Sequence, residues 1–333
     1  MRNFEISRQV VVTTLLCQLC NVGFAQTQPA PAGSNEIQEI IVTAEKRTEN
    51  AQKTPVAVTA VNGDTLEKLQ ITDSRGLEEV VPSASIRPEG AVSQTFIRGV
   101  GNNVDQIYTD PGVAYNVNGI YVPRDATSSS FFDIERVEVL PGPQGTLYGG
   151  DAAGGVINIS TKRPGNDYDG EGSIEGGNYG MAHVSLAQDF GFSESFRMRG
   201  ALDYERHDGY ESMNLDSDDK LAGRVSMLWL PTDDITAFLW GSAFHDGGLT
   251  AATVNSPYLH LDNPWYVPAV GPLAHNPVDG NLANKGYANY FFGGRVDWNL
   301  GAVSLSYLPG YGVISNDSLF YAADFPLDRK SVV

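Results

Sequence analysis

Cys17 and Cys20 are the two cysteines of this 333-residue chain, and their Cys-x-x-Cys spacing would suit thiol exchange or one side of a zinc site. Their surroundings point elsewhere. Arg2 and Arg8 precede an apolar run from Val10 to Leu19 and then Gly23-Phe24-Ala25, the pattern of a secretory signal peptide cut after Ala25. The run is too short to anchor the chain across a bilayer. Both thiols are therefore expected to leave with residues 1–25, and the remaining sequence has no cysteine for a disulfide. The five histidines, His183, His207, His245, His260 and His275, are scattered. Asp216, Asp218 and Asp219 offer hard oxygens to calcium, although such a trio also suits a solvated loop tip. No Gly-Lys-Ser/Thr phosphate loop, Gly-x-Ser-x-Gly elbow or His-Glu-x-x-His pair occurs. The expectation is a protein that is not an enzyme and holds neither metal nor cofactor. Recognition is left. Tyr258, His260, Trp265, Tyr266 and His275 share one loop, where they would touch an external ligand or else pack as a collar at a lipid interface.

The elements that must position such residues are strands. With 36 glycines, 15 tyrosines and 14 phenylalanines, the composition favours extended chain and tight turns. The formal charge of −18 excludes nucleic acid as a partner, because phosphate binding needs clustered Lys and Arg. Beyond residue 25 no run reaches the 18 or so apolar residues of a membrane helix, so entry into a membrane would be as a barrel.

From residue 165 onward the pattern alternates with period two. Phe196, Met198, Gly200, Leu202 and Tyr204 interleave with Arg197, Arg199, Ala201, Asp203 and Glu205, and similar alternation marks 182–187, 223–229 and 292–300. One face suits lipid and the other water, as in transmembrane strands. About seven strands are expected, near 170, 182, 196, 222, 236, 289 and 303. Short turns at 190–194, 231–234 and near Gly301 alternate with long connections at 206–219 and 246–286, the parity of an outer-membrane barrel.

Upstream, residues 26–38 read as a flexible leader. The segment Glu39 to Ala44 is β-branched and extended, suited either to a first core strand or to strand addition on a partner's sheet edge. Val56, Val58 and Ala60 alternate as a strand. Asp64 is placed to cap a helix over 65–69, and Asp73 a second one ended by Pro82. Val117-Asn118-Gly119-Ile120 is a tight turn entering a strand.

The densest signal is Ile134 to Pro164, IERVEVLPGPQGTLYGGDAAGGVINISTKRP, two β-patterned segments about a glycine-rich crossing. Its Ile-Glu-Arg, Glu-Val, Gly-Pro, Tyr-Gly, Gly-Gly and Val-Ile-Asn-Ile elements, with Ile97-Arg98-Gly99 upstream, closely resemble the plug domain of TonB-dependent outer-membrane receptors. The resemblance implies an α+β plug domain followed by antiparallel transmembrane β-barrel strands. Its divisions are a signal peptide at 1–25, a leader at 26–38, a Ton box at 39–44, the plug at 45–164 and the first part of the barrel at 165–333. The family's barrel has about 22 strands, so the chain is expected to be a fragment.

The resemblance further implies uptake of a scarce nutrient, by family default a ferric siderophore or similar iron complex, across a Gram-negative outer membrane. The implied partners are periplasmic TonB, outer-membrane lipid and the extracellular ligand. TonB would bind Ile40, Ile41, Val42, Thr43 and Ala44. Ligand would meet Asn102, Asn103, Asp105, Gln106 and Tyr108 of an apical plug loop, with Tyr258, Trp265 and Tyr266 of the barrel. Arg98 and Arg136 would help lock the plug by pairing with barrel carboxylates, although Pro141 stands where the family usually has a further arginine. A non-functional truncated receptor or a soluble plug-like periplasmic module is the alternative, and a passive porin fits less well.

Overall fold

Two kinds of β structure divide the chain, one with both sheet faces covered and one with an apolar face turned outward. The computed structural model describes residues 41–42, 49–50, 56–89, 92–102, 111–123, 126–127, 131–149, 152–210, 217–249, 253–254, 285–316 and 322–323.

The first part begins with a short antiparallel pair, β1 (Ile41–Val42) and β2 (Glu49–Asn50). Then follow β3 (Thr59–Asn62), α1 (Gly63–Lys68), a 3-10 helix (Ser74–Glu79), β4 (Ala84–Glu89), β5 (Val92–Ile97), β6 (Val100–Gly101), β7 (Val113–Val117), β8 (Ile120–Val122), β9 (Ile134–Pro141), α2 (Gly145–Tyr148) and β10 (Gly155–Thr161). Five of the strands form a sheet in the order β3-β9-β10-β7-β8, with β10 and β7 parallel and the other neighbours antiparallel. β4, β5 and β6 form a smaller meander.

Two local expectations need correction. The cap of α1 is Asn62, whose side chain accepts from the Thr65 N–H at 2.8 Å, while Asp64 lies inside the first turn and favours the positive helix end. The helix starts early because Gly63 packs so closely on the Ile134 carbonyl that a Cβ would collide with it. The second helix is a 3-10 helix. Asp73 caps it as expected, accepting from the Arg75 N–H at 2.8 Å.

The glycine-rich crossing is a demand of packing. β9 and β10 pair antiparallel, with Val156 opposite Leu140. A Cβ on Gly155, where φ is +154°, would lie 2.8 Å from Ile97 Cδ1 and against the Leu140 carbonyl. Asn118 and Gly119, at φ +51° and +83°, make the left-handed turn between β7 and β8. The Asn118 side chain fastens this hairpin to β10, accepting from the Thr161 N–H and donating to Thr161 Oγ1, both at 3.0 Å.

The second part is an open antiparallel sheet: β11 (Gly170–Gly176), β12 (Ala182–Ser193), β13 (Phe196–His207), β14 (Asp218–Thr232), β15 (Ile235–Asp246), β17 (Tyr287–Asn299) and a seventh strand made of β18 (Ser304–Tyr307) and β19 (Gly310–Asn316). β16 (Thr253–Val254) pairs with β20 (Ala322–Ala323) apart from this sheet. β18 and β19 share one register on β17, with Tyr307 opposite Val296 and Gly310 opposite Gly293; Pro309, which has no N–H, lies in the break between them. The seven expected strands are thus present in neighbouring positions. Two residues join β12 to β13 and β14 to β15, whereas β13 to β14 and β15 to β17 span the long connections.

Alternation along this wall is inverted relative to a soluble sheet. Leu202 is 52% exposed and its neighbour Asp203 is 3% exposed. Outward rings gather near the short-turn end, where Tyr168, Phe190, Phe192 and Phe196 meet in succession, and Tyr179 packs on Tyr210 at the other end, 4.9 Å apart. Two aromatic girdles about an apolar band match a barrel wall in lipid. Among the described residues no helix is long and apolar enough to cross a membrane. Trp229 and Trp298 are outward at 48% and 46% exposure, whereas Trp240 is inward at 5%. Single-tryptophan variants in vesicles of brominated lipid should therefore show strong quenching for Trp229 and Trp298 and little for Trp240; equal quenching of all three would refute the assignment of faces.

Both faces of the five-stranded sheet are covered. On one, Leu66, Leu77, Val137 and Ile157 belong to a core that runs on into Leu228, Phe238, Trp240 and Phe291 of the wall. On the other, Ala114, Leu140, Ala152 and Val156 form a smaller core.

Candidate functional site

Inward positions on β13 and β14 carry charges that would be prohibitive if unpaired, and these define the seam between the two parts. Arg199 donates from Nε and Nη2 to Asp133 Oδ1, at 2.9 and 2.7 Å, and from Nη1 to Asp189 at 2.9 Å; it also pairs with Glu171. Arg224 lies over the Phe132 ring, 4.5 Å from its centroid, and donates to the backbone carbonyls of Phe132 and Asp133 at 3.1 and 3.3 Å. Lys162, just past β10, donates to both oxygens of Glu171 at 2.8 Å, while its N–H bonds the Asp133 carbonyl. Gln70 after α1 reaches Glu175 at 2.8 Å.

Asp133 is the centre of this cluster. Its side chain is almost wholly buried, and its backbone is left-handed at φ +54°, which Asp tolerates better than most residues. Burial pushes its carboxyl up, against the hydrogen bonds and charge of Arg199 and the charge of Arg224. Deeper in the α+β part, burial raises the Tyr115 phenol to about 12, and its hydroxyl shares a 2.7 Å hydrogen bond with Thr95. Between α1 and strands β11 to β13 runs a cavity of about 380 Å³, bordered by Leu66, Ile71 and Phe132 as well as by Asp133, His183 and Asp203. His183 and Asp203 are hydrogen-bonded there at 2.8 Å.

The residues expected from sequence fall into three groups. Of the tether segment, Ile40, Thr43 and Ala44 lie outside the described residues; Ile41 and Val42 are extended as β1. Val42 is fully buried, packed with Ala114, Leu140, Ala152 and Val156, so the chain is docked on the second core at this residue. Of the loop residues, Asn103, Asp105, Gln106, Tyr108, Tyr258, Trp265 and Tyr266 also lie outside the described residues, and Asn102 is half-buried beyond β6.

The arginines form the third group. Arg98, exposed and at φ +52°, makes no ion pair with a described residue, and its N–H bonds the Ser83 carbonyl. Arg136 spends its guanidinium inside the α+β part, on Glu138 at 2.8 Å and Glu135 at 2.5 Å. The seam seen here has both polarities: wall arginines meet Asp133, which immediately precedes β9, and Lys162 of the α+β part meets Glu171 of the wall. Sequence reading passed over Asp133, Arg199 and Arg224, although Arg199 and Arg224 occupy inward positions where a charge requires a partner. Asp218 is engaged by Lys220 at 2.6 Å, by Lys285 and by His207 at 3.2 Å, so the calcium reading of the aspartate trio does not hold at this residue. Among the described residues no group of three or more His, Cys, Asp or Glu is placed to hold a metal.

An α+β domain whose glycine-crossed hairpin packs inside an inverted strand wall is the arrangement the sequence motif implied. Residues 50–156 match the family model described as the TonB-dependent Receptor Plug Domain. The chain carries the plug domain of the TonB-dependent receptors. It is 30% identical over 247 residues to the pesticin receptor of Yersinia pestis, a match covering 71% of this chain and 33% of that one. It is also 30% identical over 148 residues to an iron-regulated outer membrane virulence protein of Vibrio cholerae, covering 40% of this chain and 21% of the relative.

Solved structures of this receptor class agree in fold. The ferric yersiniabactin uptake receptor of Yersinia pestis superposes with a TM-score of 0.65 at 21% identity, over 79% of this chain and 41% of that one. A pyoverdine-bound receptor of P. aeruginosa gives 0.61 at 13% identity, over 82% and 36%. The chain spans about a third of the length of the pesticin receptors it matches. The seam around Asp133 is therefore a contact between a TonB-dependent receptor plug and its barrel wall.

Proposed function

We propose that this chain forms the plug and first seven barrel strands of a Gram-negative outer-membrane receptor that takes up an iron complex, drawing on periplasmic TonB. The observation that carries the reading is the plug itself, seated by buried charges on the inward face of a wall whose outward face is apolar. The names of the relatives, a pesticin receptor and an iron-regulated outer membrane protein, support the class of cargo. Export is assigned to residues 1–25, which leaves Gln26 as the first residue after cleavage.

In this mechanism no covalent bond changes. Ligand binds outside against Asn102, Asn103, Asp105, Gln106 and Tyr108 of the plug apex and Tyr258, Trp265 and Tyr266 of the barrel loop. TonB takes Ile40 to Ala44 by strand addition, which suits a short β-branched peptide. Because Val42 is docked, the segment must leave the second core before its edge can pair with a partner.

The test is iron-limited growth and uptake of labelled ferric siderophores by cells whose sole receptor is expressed from this reading frame. Deletion of residues 39–44 is expected to abolish uptake while ligand still binds the cell surface. Uptake that survives the deletion would point to a passive pore and defeat the TonB-driven reading.

A further inference from the structure

The barrel wall lacks side chains at one place where the plug presents one. Gly293 of β17 and Gly310 of β19 are direct cross-strand partners, and Trp240 of β15 is paired with Gly293 on its other side. One row across three strands therefore reads Trp, Gly, Gly. Ile120, the first residue of β8, occupies the gap. A Cβ on Gly310 would come to 2.7 Å from Ile120 Cγ2, and one on Gly293 would strike Ile120 Cδ1 and stand 2.6 Å from the Trp240 ring. These distances are below any that real Cβ contacts adopt, so the two glycines leave room for a single plug side chain.

Ile120 is not carried on a loose loop. It follows the left-handed Asn118–Gly119 turn, whose Asn118 is tied to β10 by its N–H to the Ile159 carbonyl at 2.8 Å and by its side chain to the N–H and hydroxyl of Thr161. Leu308 of the seventh strand closes over the turn, 3.1 Å from where a Cβ on Gly119 would lie. A rigid hairpin tip carrying one β-branched side chain, which has few rotamers to lose, meets a notch one residue wide.

The geometry points to Ile120 as a positioning residue that keys the plug into the barrel wall, with Gly293 and Gly310 as its seat. The seat lies on different strands from the Asp133 cluster, which engages β11 to β14. Two contacts so separated fix the plug's rotation as well as its height, which neither would do alone. This assignment rests on the fold and does not depend on what the receptor transports.

The experiment uses the expressed chain in washed outer membranes. Since residues 26–333 contain no cysteine, Ile120→Cys with Gly310→Cys creates the sole cysteine pair of the mature protein. With side chains in contact, oxidation should cross-link more than about half of the molecules, against under about a tenth for Ile120→Cys with the outward Phe292→Cys. The second arm reads trypsin release of the plug. Gly310→Val should raise it by about tenfold or more through overpacking, and Ile120→Ala in the same chain should bring it back to within about threefold of the parent. A general loss of stability would not be repaired by trimming the opposing side chain. Absence of the cross-link, a harmless Gly310→Val, or a double variant no better than the single one would each overturn the assignment, whether or not the chain carries out uptake.

Discussion

Asp133→Ala is expected to loosen the plug from the barrel wall by about 3–5 kcal/mol, the range for removing one partner of a buried ion pair. The carboxylate takes two hydrogen bonds from Arg199 and faces Arg224 at 3.9 Å. Without it both guanidinium groups stay buried; Arg199 keeps Asp189 and Glu171, but Arg224 keeps no ion-paired carboxylate among the described residues. Alanine also tolerates φ +54° poorly. Asp133→Asn separates the two effects, since asparagine accepts that backbone and retains a hydrogen-bond oxygen. The measurement is trypsin protection of the plug in outer membranes, with heat-modifiability of the barrel followed in parallel. Plug release greatest for alanine, intermediate for asparagine, with an intact barrel, is the expected order. Full protection in Asp133→Ala would show that the cluster contributes nothing to seating the plug.

Gly155→Val should be more severe, because it breaks the plug itself. Its Cβ would press on the Leu140 carbonyl and on Ile97 in the first core, at a backbone angle that L side chains rarely adopt. Neither neighbour can retreat: Leu140 is paired to β10 through the ladder, and Ile97 is fully buried at the end of β5. Strain and overpacking together place the loss above about 4 kcal/mol, at the far end of what single substitutions do. Since the clash is confined to the β9–β10 crossing, circular dichroism should retain a barrel-like strand signal while the plug is digested and ligand uptake disappears. A protected plug would mean that the crossing relaxes more readily than its contacts imply. Gly142, also at positive φ but with open space around its Cβ position, is the comparison: Gly142→Ala should be far milder.

These two sites differ in how visible they were beforehand. The run of glycines from Gly142 to Gly155 announced a crossing where backbone passes close to backbone, and Asn118-Gly119 announced its turn, because both are requirements on a few consecutive residues. The strand wall was legible for the same reason. Period-two alternation survives whatever the strand packs against, so Phe196 to Glu205 declared an outward and an inward face without a partner in view. Helix starts were less secure: Asp64 and Asn62 are both good caps, and the choice fell to Asn62 because Gly63 had to enter the helix to pack on Ile134.

By itself, then, the sequence determined the fold class, the succession and faces of the wall strands, the glycine crossing and the family motif, all set by local geometry or by the period of side chains along one strand. Only the tertiary structure decided which charges close the seam, that Val42 is docked, and that Ile120 has a seat. Asp133 and Arg199 are 66 residues apart, and Asp133 and Arg224 are 91 apart. Their meeting depends on strand register and on how the plug is turned within the wall. A buried arginine in a sequence demands an acid, but with 40 acidic residues in this chain the demand does not name one. Packing names it, because a charge in a low-dielectric seam tolerates only the partner within hydrogen-bonding reach.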